Sequence, residues 1–383
     1  MSSKKAIYGF SGDPITFGHL DIIQRALAIF GELTVGIGVN PAKKYFFNQA
    51  QRKEIAEASL RFLPQVRVVA FQGLLVDYAY ENNIGTVIRG IRNSEDLNYE
   101  LMLHQIGESQ KNDIDTIYFP AKQSLSHVSS GAVKALQLEQ GLIHEYLPLY
   151  AKQQLEAKLS GQFILTITGE IGVGKSYVSQ QFERLATQQN IPVHRIDIDH
   201  IGHALLSELT EPRYQSLRDE IAQHFGEDLK QANGFIDRKA LGKIIFHAPE
   251  KLNYFNEIIY QPLLLQLRRA LYGRRGLILL DTALVAEVKM SYLSNNNVLL
   301  VSATAEAQEK RLLQRGYSVT QIKARLQSQF TTPRKRALIQ AKITADAHGK
   351  LWELENTAID NNLAIPAIFE KIVQQLKITP TKI

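Results

Sequence analysis

Two short stretches of this chain carry residue types at spacings suited to phosphate chemistry. In "GEIGVGKS", Gly169, Gly174, Lys175 and Ser176 fit the pattern G-x-x-x-x-G-K-[ST]. Glycines let backbone N–H groups turn inward around phosphates, a lysine neutralises a transferred phosphoryl group, and a serine hydroxyl at a helix start can ligate magnesium. The second stretch, "GDPITFGHLDIIQRA" from Gly12, sets Thr16, Gly18 and His19 where an apolar run gives way to a helical one. Gly18 would let the backbone approach a ligand. His19 would sit at the positive end of a helix dipole, able to donate hydrogen bonds to a phosphate without acting as a base. A lone histidine at a helix start is more often a cap or a surface residue, so its company matters. Lys43, Arg89, Arg92, Tyr99 and Glu100 all fall near the carboxyl end of an expected strand or in the turn beyond it, where one crevice can collect them.

Further residues bear on the glycine-lysine loop. In "HRIDIDHIG", Asp197 and Asp199 are expected at the carboxyl end of the next strand, where a carboxylate could accept a proton from an attacking hydroxyl or hold magnesium through water. The alternative for one of them is a helix cap. His200 and His203 are three apart, but no cluster of further ligands accompanies them, and surface or capping roles are preferred over a metal site. Arg311 and Arg315 open a basic segment that continues through Lys323, Arg325, Arg334, Lys335 and Arg336. Such a run is ordinarily a solvated helix face. Beside bound ATP it would instead serve as a mobile arginine-rich lid, the reading preferred for Arg311 and Arg315.

The elements that must position these residues alternate along the chain. Apolar runs at 6–10, 33–39, 66–71, 86–91 and 116–120 read as strands, and helical spacing covers 19–30, 48–62, 73–83, 94–110 and 129–141. A charged helical connector from Leu147 ends at Gly161 and Gln162. Alternation then resumes, with strands expected at 163–168, 193–199, 277–282, 297–303 and 357–362, and a mostly helical middle over 203–272 that could cover a substrate. The reading is α/β throughout: two doubly wound parallel-sheet domains, at 1–155 and 162–383.

The 383 residues, 45% of them hydrophobic, suffice for two cores. The absence of cysteine excludes disulfides, thiol catalysis and cysteine-ligated metal clusters. No apolar run of about 18 residues and no apolar signal core is present, so no membrane span and a cytoplasmic location are expected. The net charge of +6 raises the question of nucleic acid. Residues 1–155 hold 15 basic and 15 acidic side chains, and 305–342 alone hold nine Lys or Arg against two Glu. A neutral first half and one local basic segment argue against a nucleic-acid partner.

The order of "GEIGVGKS", "IDIDHIGHAL", "HFGEDL", "IDRKALGKIIF", "LVAE" and "IDNN" over about 163–375 resembles bacterial dephospho-coenzyme A kinases. The resemblance implies a P-loop kinase with a helical substrate-covering region and a lid. Asp199 would be the general base on a ribose 3′-hydroxyl. Gly172, Val173, Gly174, Lys175, Ser176 and Tyr177 would hold ATP, Ser176 would ligate Mg2+, and Arg311 and Arg315 would belong to the lid. The chain departs from that family at Gln261, which precedes Pro262 where the family has His-Pro.

Residues 4–155 resemble bacterial phosphopantetheine adenylyltransferases, through T-x-G-H in "TFGH", then "NPAKKYFF", "GLLVDYA", "VIRGIR", "DLNYELML" and "HVSSGAVK". A Rossmann-like nucleotidyltransferase fold is implied. By this resemblance His19 stabilises the transition state, and Ser11, Lys43, Leu75 and Arg89 hold 4′-phosphopantetheine. Ser11, Gly12, His19, Gly90, Ile91, Arg92, Glu100, Leu125, Ser126, His127, Val128, Ser129, Ser130 and Gly131 would contact ATP. That family reads P-G-T-F-D where this chain reads "GFSGD", and S-S-S where it has Ser129, Ser130 and Gly131. Since Ser11 keeps a hydroxyl, activity with altered kinetics is expected.

Together the resemblances imply a bifunctional coenzyme A synthase. The first domain would join 4′-phosphopantetheine to the adenylyl group of ATP, giving dephospho-coenzyme A and pyrophosphate; the second would phosphorylate that product to coenzyme A. Magnesium would serve both steps, and homo-oligomers would form through the first domain. The alternatives are a nicotinamide-mononucleotide adenylyltransferase joined to a nucleoside kinase, and a nucleotide-binding regulator or scaffold with decayed catalysis.

Overall fold

The computed structural model describes residues 5–110, 113–245, 248–327, 329–357 and 363–380. The chain divides into two compact units between Leu159 and Ser160.

The first unit holds strands β1 (Ala6–Phe10), β2 (Leu33–Ile37), β3 (Val66–Ala70), β4 (Thr86–Ile91) and β5 (Asp115–Pro120). Its helices are α1 (Phe17–Phe30), α2 (Gln49–Leu60), α3 (Leu75–Glu81), α4 (Ser94–Ser109), α5 (Ser130–Leu138) and α6 (Leu149–Leu155). All strand pairs are parallel, in the order β3-β2-β1-β4-β5. The chain therefore leaves β1 in one direction and returns on its other side at β4, which opens a crevice at the carboxyl ends of these two strands. One face of the sheet is covered by Ile22, Ile23 and Ala26 of α1 and by Ile55, Ala56 and Leu60 of α2; Ile7, Val87 and Ala79 lie in the cluster on the other. The connector is no free tether. Ala151 and Leu155 of α6 are fully buried in the first core, and a π-helical turn over Glu156–Ser160 follows.

The second unit holds β6 (Gln162–Thr168), β7 (Val193–Asp197), β8 (Gly276–Asp281), β9 (Asn297–Ser302) and β10 (Lys350–Glu355), parallel in the order β10-β9-β6-β8-β7. Its helices are α7 (Lys175–Gln188), α8 (Ile198–Ser207), α9 (Pro212–Phe225), α10 (Arg238–Ile245), α11 (Pro249–Leu271), α12 (Ala305–Gln314), α13 (Val319–Gln327), α14 (Thr332–Ala345) and α15 (Ala364–Leu376). Phe182 of α7 and Phe369 of α15 meet edge to face over β6 and β9, with centroids 5.1 Å apart. Helices α8 to α11 enclose a separate apolar cluster around Leu217 and Ile221, the helical middle expected above. Among the described residues no helix is long and apolar enough to cross a membrane.

Two expectations need correction. The last strand is Lys350–Glu355, upstream of the 357–362 expected; residues 358–362, and with them "IDNN", lie outside the described residues. Strand β7 also ends at Asp197. Asp199 consequently lies in the first turn of α8, while Asp197 caps that helix by accepting from the His200 amide at 2.8 Å.

Candidate active sites

In the first unit, β1 delivers Ser11 and Gly12 to the crevice, and Thr16 ends the loop as the residue before α1. His19 is the third residue of that helix, and its ring bends back: the Thr16 amide donates to Nδ1 at 3.0 Å, and the Thr16 hydroxyl lies 2.8 Å from the same nitrogen. An imidazole that accepts at Nδ1 is neutral and carries its proton on Nε2, leaving Nε2–H as a donor. Burial, reinforced by the charge of Arg92, pushes the His19 pKa down to about 4. The spacing of T-x-G-H is thus a reciprocal capping contact that fixes a tautomer. A Cβ at Gly18 would meet Thr16 Oγ1 at 3.5 Å and the Leu125 carbonyl at 3.9 Å, ordinary contact distances, so nothing in the protein itself demands glycine.

The cations expected around His19 are only partly free. Arg89 lies inside β4, donates to the Gly9 carbonyl at 3.2 Å and pairs with Glu100 at 3.1 Å. Burial raises the Glu100 pKa against the opposing pull of Arg89. Arg92 is held by both oxygens of Asp96, at 2.7 and 3.0 Å. The charge of Lys43 reaches Asp96 and Glu100, while Tyr99 is exposed on α4. Leu75 opens α3 and packs so closely on β1 that a Cβ at Gly9 would lie 2.6 Å from it. Beyond β5, Leu125 packs on the core and His127 meets Tyr146 edge to face at 5.6 Å. Ser129 caps α5, and the Ser130 hydroxyl donates to the Pro14 carbonyl at 2.8 Å. The amino end of α5, with Gly131 in its first turn, is thereby tied to the loop after β1. The Ser11 hydroxyl has no hydrogen-bond partner among the described residues.

Three residues that hold this site were not singled out from sequence. Asp13 accepts from the amides of Phe46 and Phe47, at 2.9 and 2.8 Å, and from Lys134 at 2.9 Å. Burial alone would raise its pKa, but Lys134 and the two amides outweigh it and hold the carboxyl below its usual range. Arg52, only 1% exposed, donates to the carbonyls of Ser11 and Gly38 and stacks on Tyr45 at 3.9 Å. Asp13 and Arg52 together pin the loop that carries Lys43 to the loop that carries Ser11.

In the second unit the loop between β6 and α7 closes around its own lysine. Lys175 Nζ donates to the carbonyls of Gly169 and Glu170, at 3.0 and 3.1 Å. Gly169 has φ +149, and a Cβ there would lie 2.1 Å from the Val301 carbonyl, so only glycine can begin the loop. Other elements hold two further carbonyls. Gln308 donates to Ile171 at 2.6 Å, and Arg311 and Asn356 donate to Val173 at 3.1 and 2.9 Å. Arg311 also donates to the Asn356 carbonyl at 2.6 Å.

These contacts tie Arg311, expected in a lid, to the loop itself and to Asn356. Arg311 is fastened to the phosphate loop as part of its wall, while Arg315 is exposed at the end of α12 with its charge reaching Lys175. The basic segment is likewise no uniform face. Lys335 is fully buried, donating to the Ala283 carbonyl at 2.6 Å and to Glu287, whereas Arg336 pairs with Glu353 at the surface. Gln329 and Thr332 reach across to the Ile171 amide and the Glu170 carboxylate, at 2.9 and 2.7 Å.

Asp199 faces this loop from α8. Its carboxylate accepts from the Thr282 hydroxyl at 2.9 Å and the Ala283 amide at 3.0 Å, and burial raises its pKa against those bonds and against Lys175. The Lys175 pKa is lowered by burial, with Asp199 opposing. Asp281, missed from sequence although it closes the apolar run "LILLD", accepts from the Ser179 hydroxyl and from Arg195 at 3.3 Å. Its pKa too is raised by burial. Ser176 and Tyr177 lie in the first turn of α7, beside Lys175, which feels both Asp199 and Asp281. Among the described residues no three histidines or acids are grouped as a metal cage. A serine hydroxyl at the start of α7 and two carboxylates around the neighbouring Lys175 are oxygen donors of the kind a hard cation takes together with phosphates and water.

A dephospho-CoA kinase family model matches residues 163–351 and a cytidylyltransferase-like model matches 7–136. The phosphopantetheine adenylyltransferase of Mannheimia succiniciproducens is 36% identical over 146 residues, which is 38% of this chain and 92% of that protein. That of Pasteurella multocida is 39% identical over 142 residues, 37% of this chain and 90% of its own. A solved dephospho-CoA kinase from Campylobacter jejuni is 19% identical and aligns with 56% of this chain and 97% of its own, at a TM-score of 0.31. The amino-terminal unit therefore belongs to the phosphopantetheine adenylyltransferase family and the carboxy-terminal unit carries a dephospho-CoA kinase domain, so the chain is a fusion of the enzymes for the last two steps of coenzyme A biosynthesis.

Proposed function

We propose a specific division of labour among the residues of the two sites. In the first, the phosphate of 4′-phosphopantetheine attacks the α-phosphorus of ATP and pyrophosphate leaves. His19 donates from Nε2 to the phosphate oxygens that gain charge, Ser11 and Lys43 orient the attacking phosphate, and the amino end of α5 receives the leaving phosphates. The observation that carries this reading is the Thr16 amide on His19 Nδ1. It makes the imidazole a fixed donor and denies it the role of base.

In the second site Lys175 leaves its two loop carbonyls for the γ-phosphate, and Asp199 takes the proton from the ribose 3′-hydroxyl as that oxygen attacks the γ-phosphorus and ADP leaves. Arg311 keeps the loop in shape and Arg315 faces the developing charge. Magnesium would be held by Ser176 together with the phosphates, where it offsets phosphate charge; in the first site it would accompany ATP. A cytoplasmic location fits a chain without cysteine.

Two variants of the full chain test the assignment. His19→Ala should stop coenzyme A formation from 4′-phosphopantetheine while leaving formation from dephospho-coenzyme A intact. Lys175→Ala should do the reverse and accumulate dephospho-coenzyme A, and mixing the two proteins should restore synthesis. Mass analysis of the products reads all three outcomes. A folded His19→Ala protein that loses the kinase step, or a Lys175→Ala protein that accumulates nothing, would overturn the two-site reading.

A further inference from the structure

We propose that Phe10 is a positioning residue for His19, clamping the imidazole from one face, and that Gly12 supplies the space in which the Phe10 ring lies. The proposal rests on the reading of His19 as the donor in adenylyl transfer.

The Phe10 and His19 rings are stacked, with centroids 4.4 Å apart and planes 22° from parallel. Tyr8, two residues earlier on β1 and so on the same side of the strand, backs Phe10 at 4.8 Å. Because Thr16 holds Nδ1 from its amide and hydroxyl, the imidazole is fixed at one nitrogen and along one face. Any rotation of the ring breaks one restraint or the other, and Nε2–H keeps a single direction. A 1 Å error in such a donor costs on the order of a hundredfold in rate. Stacking also covers the imidazole with hydrocarbon, the environment that keeps it neutral.

Gly12 belongs to the same device. Its φ is +61, and a Cβ on it would lie 3.1 and 3.4 Å from Phe10 ring carbons and 3.3 Å from Ile37 Cδ1. A side chain at 12 and an aromatic ring at 10 therefore compete for one volume. Against P-G-T-F-D the chain carries the large and small residues in exchanged order, as "GFSGD". The exchange places an aromatic residue at 10, where its ring stacks on the histidine.

The test is steady-state adenylyl transfer by the full chain with 4′-phosphopantetheine, ATP and magnesium. Phe10→Leu keeps apolar bulk without a planar face, and its kcat should fall about 10- to 100-fold with both KM values within about threefold. Phe10→Tyr retains the face and should stay within about threefold of the parent kcat. An unchanged kcat in Phe10→Leu, or a loss expressed equally in KM, would overturn the positioning role. Should Phe10→Leu not fold, Phe10→Met decides in the same assay: a fall in kcat of about 10- to 100-fold with both KM values retained supports the clamp, and a kcat within about threefold of the parent overturns it. His19→Ala, measured alongside, separates the two levels. If it turns over normally the donor reading fails, whereas a dead His19→Ala beside a fully active Phe10→Leu sinks only the clamp.

Discussion

Replacing Asp199 with asparagine isolates proton transfer from architecture at the kinase site. The carboxylate accepts from the Thr282 hydroxyl through one oxygen and from the Ala283 amide through the other. The asparagine carbonyl can take the Ala283 amide, and its NH2 can donate to a Thr282 hydroxyl that turns to accept. Exchanging charge-assisted for neutral hydrogen bonds then costs roughly 1 kcal/mol. Losing a general base removes about 100- to 10,000-fold, or roughly 3 to 5 kcal/mol of the barrier. Chemistry should therefore dominate: kcat for dephospho-coenzyme A falls by at least about 100-fold, with the KM for ATP within about threefold. A coupled ADP-release assay on the full chain measures both. The pH profile gives an independent reading. Since burial raises the Asp199 pKa and the deprotonated form is the active one, parent activity should climb with pH through a midpoint above the ordinary aspartate value. That limb should vanish in Asp199→Asn. A loss below about tenfold, with the limb retained, would show that Asp199 only organises Thr282 and Ala283.

Ser11→Ala removes a hydroxyl without a protein partner among the described residues, and should lower adenylyl transfer roughly ten- to a hundredfold through one charge-assisted bond to phosphate; unchanged kinetics would place that contact elsewhere. Arg311→Ala removes one donor from the Val173 carbonyl and the donor to the Asn356 carbonyl, so the KM for ATP should rise about tenfold or more, whereas a fall in kcat alone would favour the role of a lid. Lys335→Met leaves Glu287 without its buried cation and should destabilise the second unit by roughly 3 to 5 kcal/mol. Adding Glu287→Met should recover most of that in thermal melts; if it does not, the pair is not what Lys335 contributes.

The sheets were legible because parallel strands covered on both faces read as unbroken apolar runs, as in "AIYGF" and "LILLD". The exception is instructive. Lys350–Glu355 is the edge of its sheet and buries only alternate residues, Trp352 and Leu354, so "KLWELE" shows no such run and the expectation moved to a later segment. Charged residues were legible only where a motif marked them. Arg52 and Lys53 are neighbours in "QRKE", yet one is buried under Tyr45 and the other pairs with Glu57 in solvent. Lys335 and Arg336 differ in the same way. Their partners, Ser11, Gly38 and Ala283 among them, are backbone carbonyls distant in sequence, and composition has no record of a carbonyl. The fixed imidazole could not be read either, since stacking depends on how β1 and α1 pack.

The unfilled space at Gly18 separates what holds this protein together from what it is for. Alanine fits there at ordinary contact distances, and near the start of α1 it is the better helix former by up to about 1 kcal/mol. A library screened for heat resistance would therefore enrich Gly18→Ala. The same methyl group would occupy the approach beside His19, and the enriched protein should melt no lower than the parent while losing adenylyl transfer. With that outcome, position 18 would be a site where selection for durability and selection for turnover pull apart, its glycine serving the substrate rather than the fold.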